Sequence, residues 1–418
     1  MAMSASLRHW AILHVPDWLH PAMRAIERGG HAVAGAAMRL LPGTSREIGP
    51  PRRIAPTLRE YAQAHSRIAS YTEIYPSHVI RRSAPRTTEP EIHPAFIEDM
   101  TRLAWPAGVG VISGGRVLTS MGAVIAPEDC LIGDVAHTAS GDDPRMHPIF
   151  SELKLPRVTR IEETVAVLTM YTSNIAGHYY YGHWMLDTLP RLALLERSGI
   201  AWDKLVAPQA THFHRDTLRL LGIDASRIIA ERDLHIESAK LVVPTLPGLP
   251  GNPPRWACDF LRDRFLPLAG PSTRSDRRIY ISREKTRTRH VLNEQELMKA
   301  LETRGFERVL LEDLSFIDQV RLLNEASAVV SPHGTCLTNL IFCRPGTSVI
   351  EIFSPRYVTA AWFSLAKQLD LDYGYSIGLG KRGGGHRVHE NIMVDIPQVL
   401  RLLDDMLEVP RLRAGGTR

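Results

Sequence analysis

Cysteine is scarce in this chain: four occur among 418 residues, at Cys130, Cys258, Cys336 and Cys343. So few thiols exclude a scaffold built on disulfides, and the lack of a C-x-x-C pair argues against a zinc ribbon. The set is typical of a reducing compartment, so we expect a cytoplasmic bacterial protein.

Long apolar runs are also missing. No run of 18 apolar residues occurs, so we expect no transmembrane helix. His31, Arg39 and Pro42 interrupt the N-terminal apolar region, which is a poor signal peptide for that reason. The chain also lacks G-x-x-x-x-G-K-[ST] and G-x-S-x-G, so P-loop NTPases and α/β-hydrolases lose support.

The composition is that of a globular protein, with 44% apolar and 23% charged residues. The formal charge of +5 is too small to argue for nucleic acid, and none is expected. It favours phosphorylated ligands or an anionic membrane. Pro21–Leu41 reads as a basic amphipathic helix, so residues 1–45 are a candidate for peripheral contact with the inner membrane. The alternative is a helix packed on its own protein.

Strand and helix signals alternate along most of the chain, which predicts an α/β fold with doubly wound parallel sheets. Residues 109–126 interrupt this pattern and read as hairpins. Residues 244–254 hold five prolines and two glycines and read as an interdomain loop. We therefore expect an N-terminal helical and linker extension over 1–90 and two Rossmann-like domains over 91–254 and 255–418, with a cleft between them.

A basic stretch, residues 274–290, includes the predicted strand Arg278–Ser282 and the loop after it. Residues 274–290 hold seven Arg or Lys side chains against two carboxylates, an excess equal to the formal charge of the whole chain, +5. Loops after parallel strands face the ligand crevice, and arginine matches phosphate oxygens in pairs. The stretch therefore indicates a diphosphate site, or else a solvated loop.

A second candidate begins at Ser331, where a strand ends and a helix opens. His333 supplies a donor, Gly334 allows close backbone approach, and free N–H groups at a helix N-terminus favour an anion. Glu351, in the next strand Ser348–Phe353, is a candidate for holding ribose hydroxyls. The alternative is an ordinary strand–helix turn.

The third candidate is a histidine four residues before an aspartate. His183 and Asp187 are four residues apart at the start of the predicted helix Trp184–Ser198, so in helical conformation they lie on one face and can act together on a hydroxyl proton. Two alternatives stay open: a structural hydrogen bond, and a metal site with His178, although the spacing matches no familiar zinc motif.

Taken in order, these residues resemble glycosyltransferase family 61. The resemblance covers residues 170–375 and rests on His183–Arg191, Tyr280–Arg283, Arg289, Asn293–Glu294, Gly305–Phe306, Glu312, Leu314–Phe316, Gln319–Val320, Pro332–Gly334, Leu337–Asn339, Pro345–Gly346 and Glu351. The family includes plant xylosyltransferases, animal O-glycan transferases and bacterial surface-polysaccharide enzymes.

The resemblance implies a GT-B fold, an inverting mechanism, no metal and no cofactor beyond a nucleotide-sugar co-substrate, usually a UDP-sugar. Asp187 would deprotonate a glycan or lipid-linked acceptor, with His183 nearby. The donor would be held by Arg283, Arg289, His333, Gly334, Thr335, Asn339 and Glu351.

The expected function is therefore sugar transfer in capsule or other surface-polysaccharide biosynthesis. Two alternatives stay open. One is a pyruvyl-type or other non-glycosyl transferase on a similar scaffold, whose donor carries no nucleotide. The other is a catalytically silent scaffold protein of polysaccharide assembly.

Overall fold

The fold is known from a computed structural model, which describes residues 50–137, 143–152, 154–171, 174–175, 178–230, 234–272, 274–380 and 389–408. The predicted basic helix Pro21–Leu41 lies outside these residues. Contacts divide the chain into two units, residues 1–77 with 105–250 and residues 78–104 with 251–418. Residues 78–104 thus belong with the C-terminal unit, whereas the predicted boundaries placed them in the extension and the first domain.

The described strands, in chain order, are β1 Arg53–Ala55, β2 Ala69–Tyr75, β3 His78–Arg81, β4 Arg86–Thr87, β5 Thr101–Ala104, β6 Ala107–Leu118, β7 Ala123–Ala126, β8 Cys130–Ile132, β9 Val158–Val167, β10 Asn174–Ile175, β11 His178–Tyr179, β12 Lys204–Ala207, β13 Ile228–Ala230, β14 His235–Pro244, β15 Arg277–Ile281, β16 Phe306–Val309, β17 Ala326–Pro332, β18 Ser348–Phe353 and β19 Asp372–Ile377.

The described α-helices are α1 Leu58–Ala64, α2 Pro94–Asp99, α3 Tyr181–His183, α4 Arg191–Ser198, α5 His212–Leu220, α6 Arg255–Phe265, α7 Glu294–Glu302, α8 Phe316–Glu325, α9 Ala361–Gln368 and α10 Ile396–Glu408. A π-helical turn covers Trp184–Thr188. The longest 3₁₀ helix among the described residues covers Thr335–Phe342, and shorter ones cover Thr119–Met121, Gly133–Val135, Pro144–Met146, Pro148–Ser151, Ala225–Arg227, Pro267–Ala269 and Leu311–Asp313.

The N-terminal unit is built on a mixed sheet of nine described strands, in the order β1-β8-β7-β6-β14-β9-β12-β13 with β2 also paired to β6. β14, β9, β12 and β13 run parallel. β6 is antiparallel to β14, β2 and β7. The hairpin expected in residues 109–126 is therefore present, and because of it the unit departs from the predicted all-parallel sheet. Gly122 turns this hairpin with a φ of 60°.

The C-terminal unit has the predicted parallel sheet, in the order β16-β15-β17-β18-β19-β4. The chain leaves β15 for β16 on one side and then crosses back to β17 on the other. Ligands of such sheets bind beyond the carboxyl ends of the strands where the order reverses. The loops after β15 and β17 are therefore the expected ligand-binding elements.

Both faces of this sheet are covered, so β17 and β18 are buried along their whole length. On one face, α7 and α10 contribute Leu297, Leu301, Leu402 and Met406 to a core that includes residues of β17 and β18. Elsewhere in the unit, the rings of Phe265, Phe316 and Phe342 meet edge to face with centroids 4.9 to 6.3 Å apart.

A buried carboxylate attaches residues 78–104 to this unit. Asp99 accepts hydrogen bonds from Arg102 Nε at 2.6 Å, from Asn252 Nδ2 at 3.0 Å and from the Ser364 hydroxyl. Arg82 donates to the Asp99 carbonyl at 2.7 Å and to Asn252 at 2.6 Å. A charge with so little exposure is stable only when it is paired and hydrogen-bonded in this way.

Asn293 and Glu296, three residues apart, have the sequence pattern of a capping box, which predicts that Asn293 caps α7, but the structure shows no such cap. The Asn293 side chain makes no cap hydrogen bond to the helix. Its amide instead pairs with the backbone of Val394, donating to the carbonyl at 2.9 Å and accepting from the N–H at 3.0 Å. A tertiary contact has displaced the local one.

His147 makes the N-terminal unit sensitive to acid. Its Nδ1 accepts from the Ile149 N–H at 3.2 Å and its Nε2 donates to the Met121 carbonyl at 3.1 Å, an arrangement that needs the neutral ring. Burial lowers the pKa of His147 from 6.5 to about 4. The unfolded chain therefore takes up the proton first, and stability is lost as the pH falls from 6.5 towards 4.

We expect the free energy of unfolding to fall by about 3 kcal/mol more in the wild type than in His147→Asn over this range, at 1.36 kcal/mol per pKa unit. Urea titrations at neutral and acidic pH measure the difference. His212→Asn, which changes an exposed histidine of the same unit, is the matched control. Equal acid sensitivity of wild type and His147→Asn would contradict the assignment.

Candidate functional site

The loops after β15 and β17 meet at Arg283 and Gly334. Arg283 is 7% exposed, and its Nε and Nη2 donate to the Thr288 carbonyl at 3.4 and 3.1 Å. A Cβ placed on Gly334 would lie 1.9 Å from Arg283 Nη1 and 2.8 Å from Cζ. The φ of Gly334 is 179°, which any residue adopts. Glycine is needed here for space, because the guanidinium of Arg283 lies across it.

Arg289 lies near Arg283. Its guanidinium lies 6.0 Å from the centroid of the Tyr357 ring. Burial first, and then the charge of Arg283, lower the pKa of Arg289. The backbone of Arg289 has a φ of 58°, a conformation that costs a side-chain-bearing residue about 1–3 kcal/mol and is concentrated at ligand sites.

Most other cations of residues 274–290 do not face this site. Arg287 is exposed, and Arg278 donates to the Arg304 carbonyl at 2.7 Å. The rest form ion pairs, Arg274 with Asp276 at 3.3 Å, Arg277 with Glu307 at 2.5 Å and Lys285 with Asp313 at 2.5 Å. The charge count of the stretch thus overstates the local field, and Arg283 and Arg289 supply the positive charge of the site.

His333 follows β17 and faces the same two arginines. His333 is 6% exposed. Its ring stacks on Phe353 with the centroids 5.2 Å apart and meets Tyr357 edge-on with the centroids 5.3 Å apart. Nδ1 lies 2.5 Å from Glu351 Oε1. Burial lowers the pKa of His333, Glu351 opposes that shift, and the charges of Arg289 and Arg283 add to it.

Glu351, predicted to hold ribose, is fully buried. One carboxylate oxygen bonds His333 and the other accepts the hydroxyl of Tyr373. Both oxygens of Glu351 therefore contact residues of its own unit, and the ribose contact stays a prediction. Tyr373 had no motif to mark it, since it is one of several core residues in β19.

Asn339 is buried, and its amide donates to the Gln319 side chain at 2.7 Å, which holds the 3₁₀ helix against α8. Its contact with the donor stays a prediction. Thr335 and Cys336 are half-buried at the start of that helix. The other three cysteines are buried.

The remaining candidates lie in the N-terminal unit. His183 Nδ1 is 2.7 Å from Asp187 Oδ2. The predicted helix Trp184–Ser198 is confirmed in part: its first residues, Trp184–Thr188, form a π turn closed by the Leu189 N–H on the Trp184 carbonyl at 2.8 Å. The α-helix starts again only at Arg191. Such π turns occur often at functional sites.

Two buried residues fix this π turn. Trp184 donates from Nε1 to the Thr217 hydroxyl at 3.0 Å. Arg191 donates to the carbonyls of Thr169 at 2.8 Å and Pro244 at 2.6 and 3.0 Å. Pro244 ends β14 and Thr169 lies just past β9, so Arg191 ties the turn to the carboxyl ends of two parallel strands.

Burial separates the two members of the His183–Asp187 pair. The Asp187 side chain is 3% exposed and the His183 side chain 34%. Asp187 therefore has little surface with which to meet an acceptor, whereas His183 keeps an exposed face. This arrangement matches a histidine base oriented by a carboxylate.

No group of three or more His, Cys, Asp or Glu residues within the described part of the chain is arranged to hold a metal. The side chain of His178, named with the pair as a candidate ligand, is not among those described. No helix in the described ranges has the length and apolar character to cross a bilayer.

Residues 181–350 match the family model glycosyltransferase 61. The chain is 27% identical over 162 residues to the EGF domain-specific O-linked N-acetylglucosamine transferase of Drosophila melanogaster, covering 36% of this chain and 31% of the relative. It is 36% identical over 98 residues to the human protein O-linked-mannose beta-1,4-N-acetylglucosaminyltransferase 2, covering 21% and 17%.

A third relative is the beta-1,2-xylosyltransferase of Arabidopsis thaliana, 34% identical over 64 residues, 15% of this chain and 12% of the relative. The chain thus spans less than a third of the length of each of these relatives. The matched family segment contains both His183–Asp187 and the Arg283–His333 site.

Gly334→Ala tests the close approach of Arg283. We expect the added methyl to displace the guanidinium and weaken binding of inorganic pyrophosphate about tenfold or more, since hydrogen bonds to charged groups contribute about 1.5–3 kcal/mol. Calorimetric titration measures the affinity. The same substitution in an Arg283→Ala background should cost nothing further, and an equal loss in both backgrounds would refute the contact.

Proposed function

We propose that the protein, whose residues 181–350 match the glycosyltransferase 61 family model, is an inverting glycosyltransferase that moves a sugar from a nucleotide-sugar to a carbohydrate acceptor. The observation that carries this proposal is the cluster of Arg283, Arg289 and His333 at the strand-order reversal. Two inward-facing guanidiniums and an imidazole are donors suited to a diphosphate.

The donor is bound, in this proposal, by the C-terminal unit. Arg283 and Arg289 neutralise the two phosphates, and the Thr335 amide at the start of the 3₁₀ helix adds a backbone donor. These groups stabilise the diphosphate as it leaves and so replace the metal ion that other transferases use for the same charge. We further propose a UDP-sugar, a GT-B arrangement of the two units and a role in surface-polysaccharide biosynthesis.

The acceptor is activated by His183. Its Nε2 takes the proton of the acceptor hydroxyl while the oxygen attacks the anomeric carbon. The bond from that carbon to the diphosphate oxygen breaks, and the diphosphate leaves with the electron pair from the opposite face. Asp187 holds Nδ1–H and stabilises the imidazolium that forms, so the base expected at Asp187 is reassigned to His183 on grounds of exposure.

Substitutions in the pair separate the two assignments. We expect His183→Gln to lower kcat by about 10²–10⁴ with little change in the donor KM, the contribution of a general base. Asp187→Asn should also slow transfer, but by less than His183→Gln, because His183 can still take the proton of the acceptor hydroxyl.

Steady-state transfer assays over a pH series measure kcat and the donor KM of each variant. His212→Gln, at an exposed histidine of the same unit, is the control and should match the wild type. Full activity of His183→Gln, or a larger loss in Asp187→Asn than in His183→Gln, would return the base to Asp187 or remove it from this pair.

Cys336 reports donor binding directly. Because the other three cysteines are buried, a maleimide should label the native protein at Cys336, and Cys336→Ser should take no label. We expect UDP to slow labelling about tenfold at about ten times its Kd, by simple mass action, and Arg283→Ala to lose that protection.

The same assay with GDP, CMP and dTDP compares the nucleotides. Protection by another nucleotide would change the donor class. Protection by phosphoenolpyruvate alone would favour the pyruvyl-transferase alternative, and protection by none of them would reject the diphosphate site.

A further inference from the structure

A chain of three buried side chains ends at the proposed diphosphate site. The Tyr373 hydroxyl donates to one oxygen of Glu351, and His333 Nδ1 lies 2.5 Å from the other. Tyr373 and Glu351 are fully buried and reach no ligand. Resting on the proposed function, we propose that Tyr373 and Glu351 are positioning residues that hold the proton of His333 on Nδ1, so that Nε2 takes up one further proton when a diphosphate binds.

The hydrogen bonds determine which nitrogen carries the proton. The Tyr373 hydroxyl donates its one proton to Glu351, so that oxygen of the carboxylate acts as the acceptor. The second carboxylate oxygen needs a donor as well, which His333 supplies as Nδ1–H. Nε2 is therefore the nitrogen left for a ligand, and in the neutral ring it is an acceptor. An acceptor facing phosphate oxygens is unfavourable, so binding requires a proton on Nε2.

The surroundings of His333 make that proton conditional. Arg283 and Arg289 face the ring from the loop after β15, Cys336 lies on the 3₁₀ helix, and Tyr357 follows β18. In the empty site the two guanidiniums repel an imidazolium. A bound diphosphate compensates both of them and adds negative charge beside Nε2, which reverses the sign of the local field.

The pH dependence follows from this balance. One proton moves from solvent to Nε2 for each diphosphate bound, between the pKa of His333 in the free protein and its higher pKa in the complex. Within that window affinity should fall tenfold for each unit of rising pH. Below the lower pKa the ring is already charged, and no uptake accompanies binding.

Glu351→Gln gives a distinctive outcome. The new amide can accept from Tyr373 and donate to Nδ1, which places the single proton of the neutral ring on Nε2. His333 would then be a ready donor without uptake. We expect this variant to bind the diphosphate with no proton uptake. Its change of affinity per pH unit should be at least tenfold smaller than that of the wild type.

Tyr373→Phe tests the outer member of the chain. Without its donor the carboxylate holds the imidazolium more strongly, so the titration of His333 should move up by about one pH unit, the effect of one hydrogen bond to a charged group. Tyr375→Phe is the matched control, because Tyr375 is a buried tyrosine of the same strand whose hydroxyl accepts from the His93 N–H at 2.9 Å and has no hydrogen bond to Glu351.

The first measurement is nitrogen NMR of the full-length protein labelled in histidine, with His333 assigned by its loss in His333→Asn. At about pH 7.5, above the ordinary histidine pKa, we expect the proton on Nδ1 in wild type and Tyr375→Phe, and on Nε2 in Glu351→Gln. Adding inorganic pyrophosphate should protonate both nitrogens in the wild type. A free wild-type ring protonated on Nε2, or one left neutral by bound pyrophosphate, overturns the proposal.

The second measurement is calorimetric titration with UDP in buffers of different ionisation enthalpy, with His333→Asn correcting for protons taken up by UDP itself. We expect close to one proton per UDP in wild type and none in Glu351→Gln. Equal uptake in the two overturns the positioning role. If neither UDP nor pyrophosphate binds while the ring stays protonated on Nδ1, the proposed donor site fails and the uptake step fails with it.

Discussion

The reversal of strand order between β15 and β17 is the constraint on which the C-terminal site depends. It brings two loops to the carboxyl ends of adjacent strands, where ligands of such sheets bind. Arg283 comes from one loop and Gly334 from the other, and their contact is closer than any side chain on residue 334 would allow. Two arginines near each other with little solvent are unfavourable on their own, so an anion is the species that such a site stabilises most.

The π turn of the N-terminal unit rests on a different device. Arg191 is buried, and burial lowers its pKa to about 9, which still leaves it charged at neutral pH. Its hydrogen bonds are to the carbonyls of Thr169 and Pro244. Backbone carbonyls at the ends of two strands thus bind the guanidinium of Arg191, which is the first residue of α4. The His183–Asp187 pair is held just before this anchor, so its geometry depends on the sheet and not on a flexible loop.

Local pattern was enough to predict the C-terminal sheet, because parallel strands buried on both faces read as short apolar runs separated by helices. It was not enough for features decided by contacts distant in sequence. Asn293 pairs with the backbone of Val394 instead of capping α7, and Glu351 is held by Tyr373 from the next strand. The π turn escaped prediction because its residues keep helical spacing. The charge pattern alone did not distinguish Arg283 and Arg289 among the seven cations; the family resemblance named them, and the ion pairs of their neighbours set them apart in the structure.

Two of the histidine–carboxylate pairs among the described residues, His183–Asp187 and His333–Glu351, have surroundings that suit opposite tasks. In His183–Asp187 the carboxylate is buried and the histidine is a third exposed, so the ring can meet an acceptor and keep a proton taken from it. In His333–Glu351 both groups are buried, and two arginines act on the ring. There the cations oppose protonation, and in our proposal a bound anion reverses that effect. The residue pair alone therefore does not fix the direction of proton movement; burial and neighbouring charge decide it.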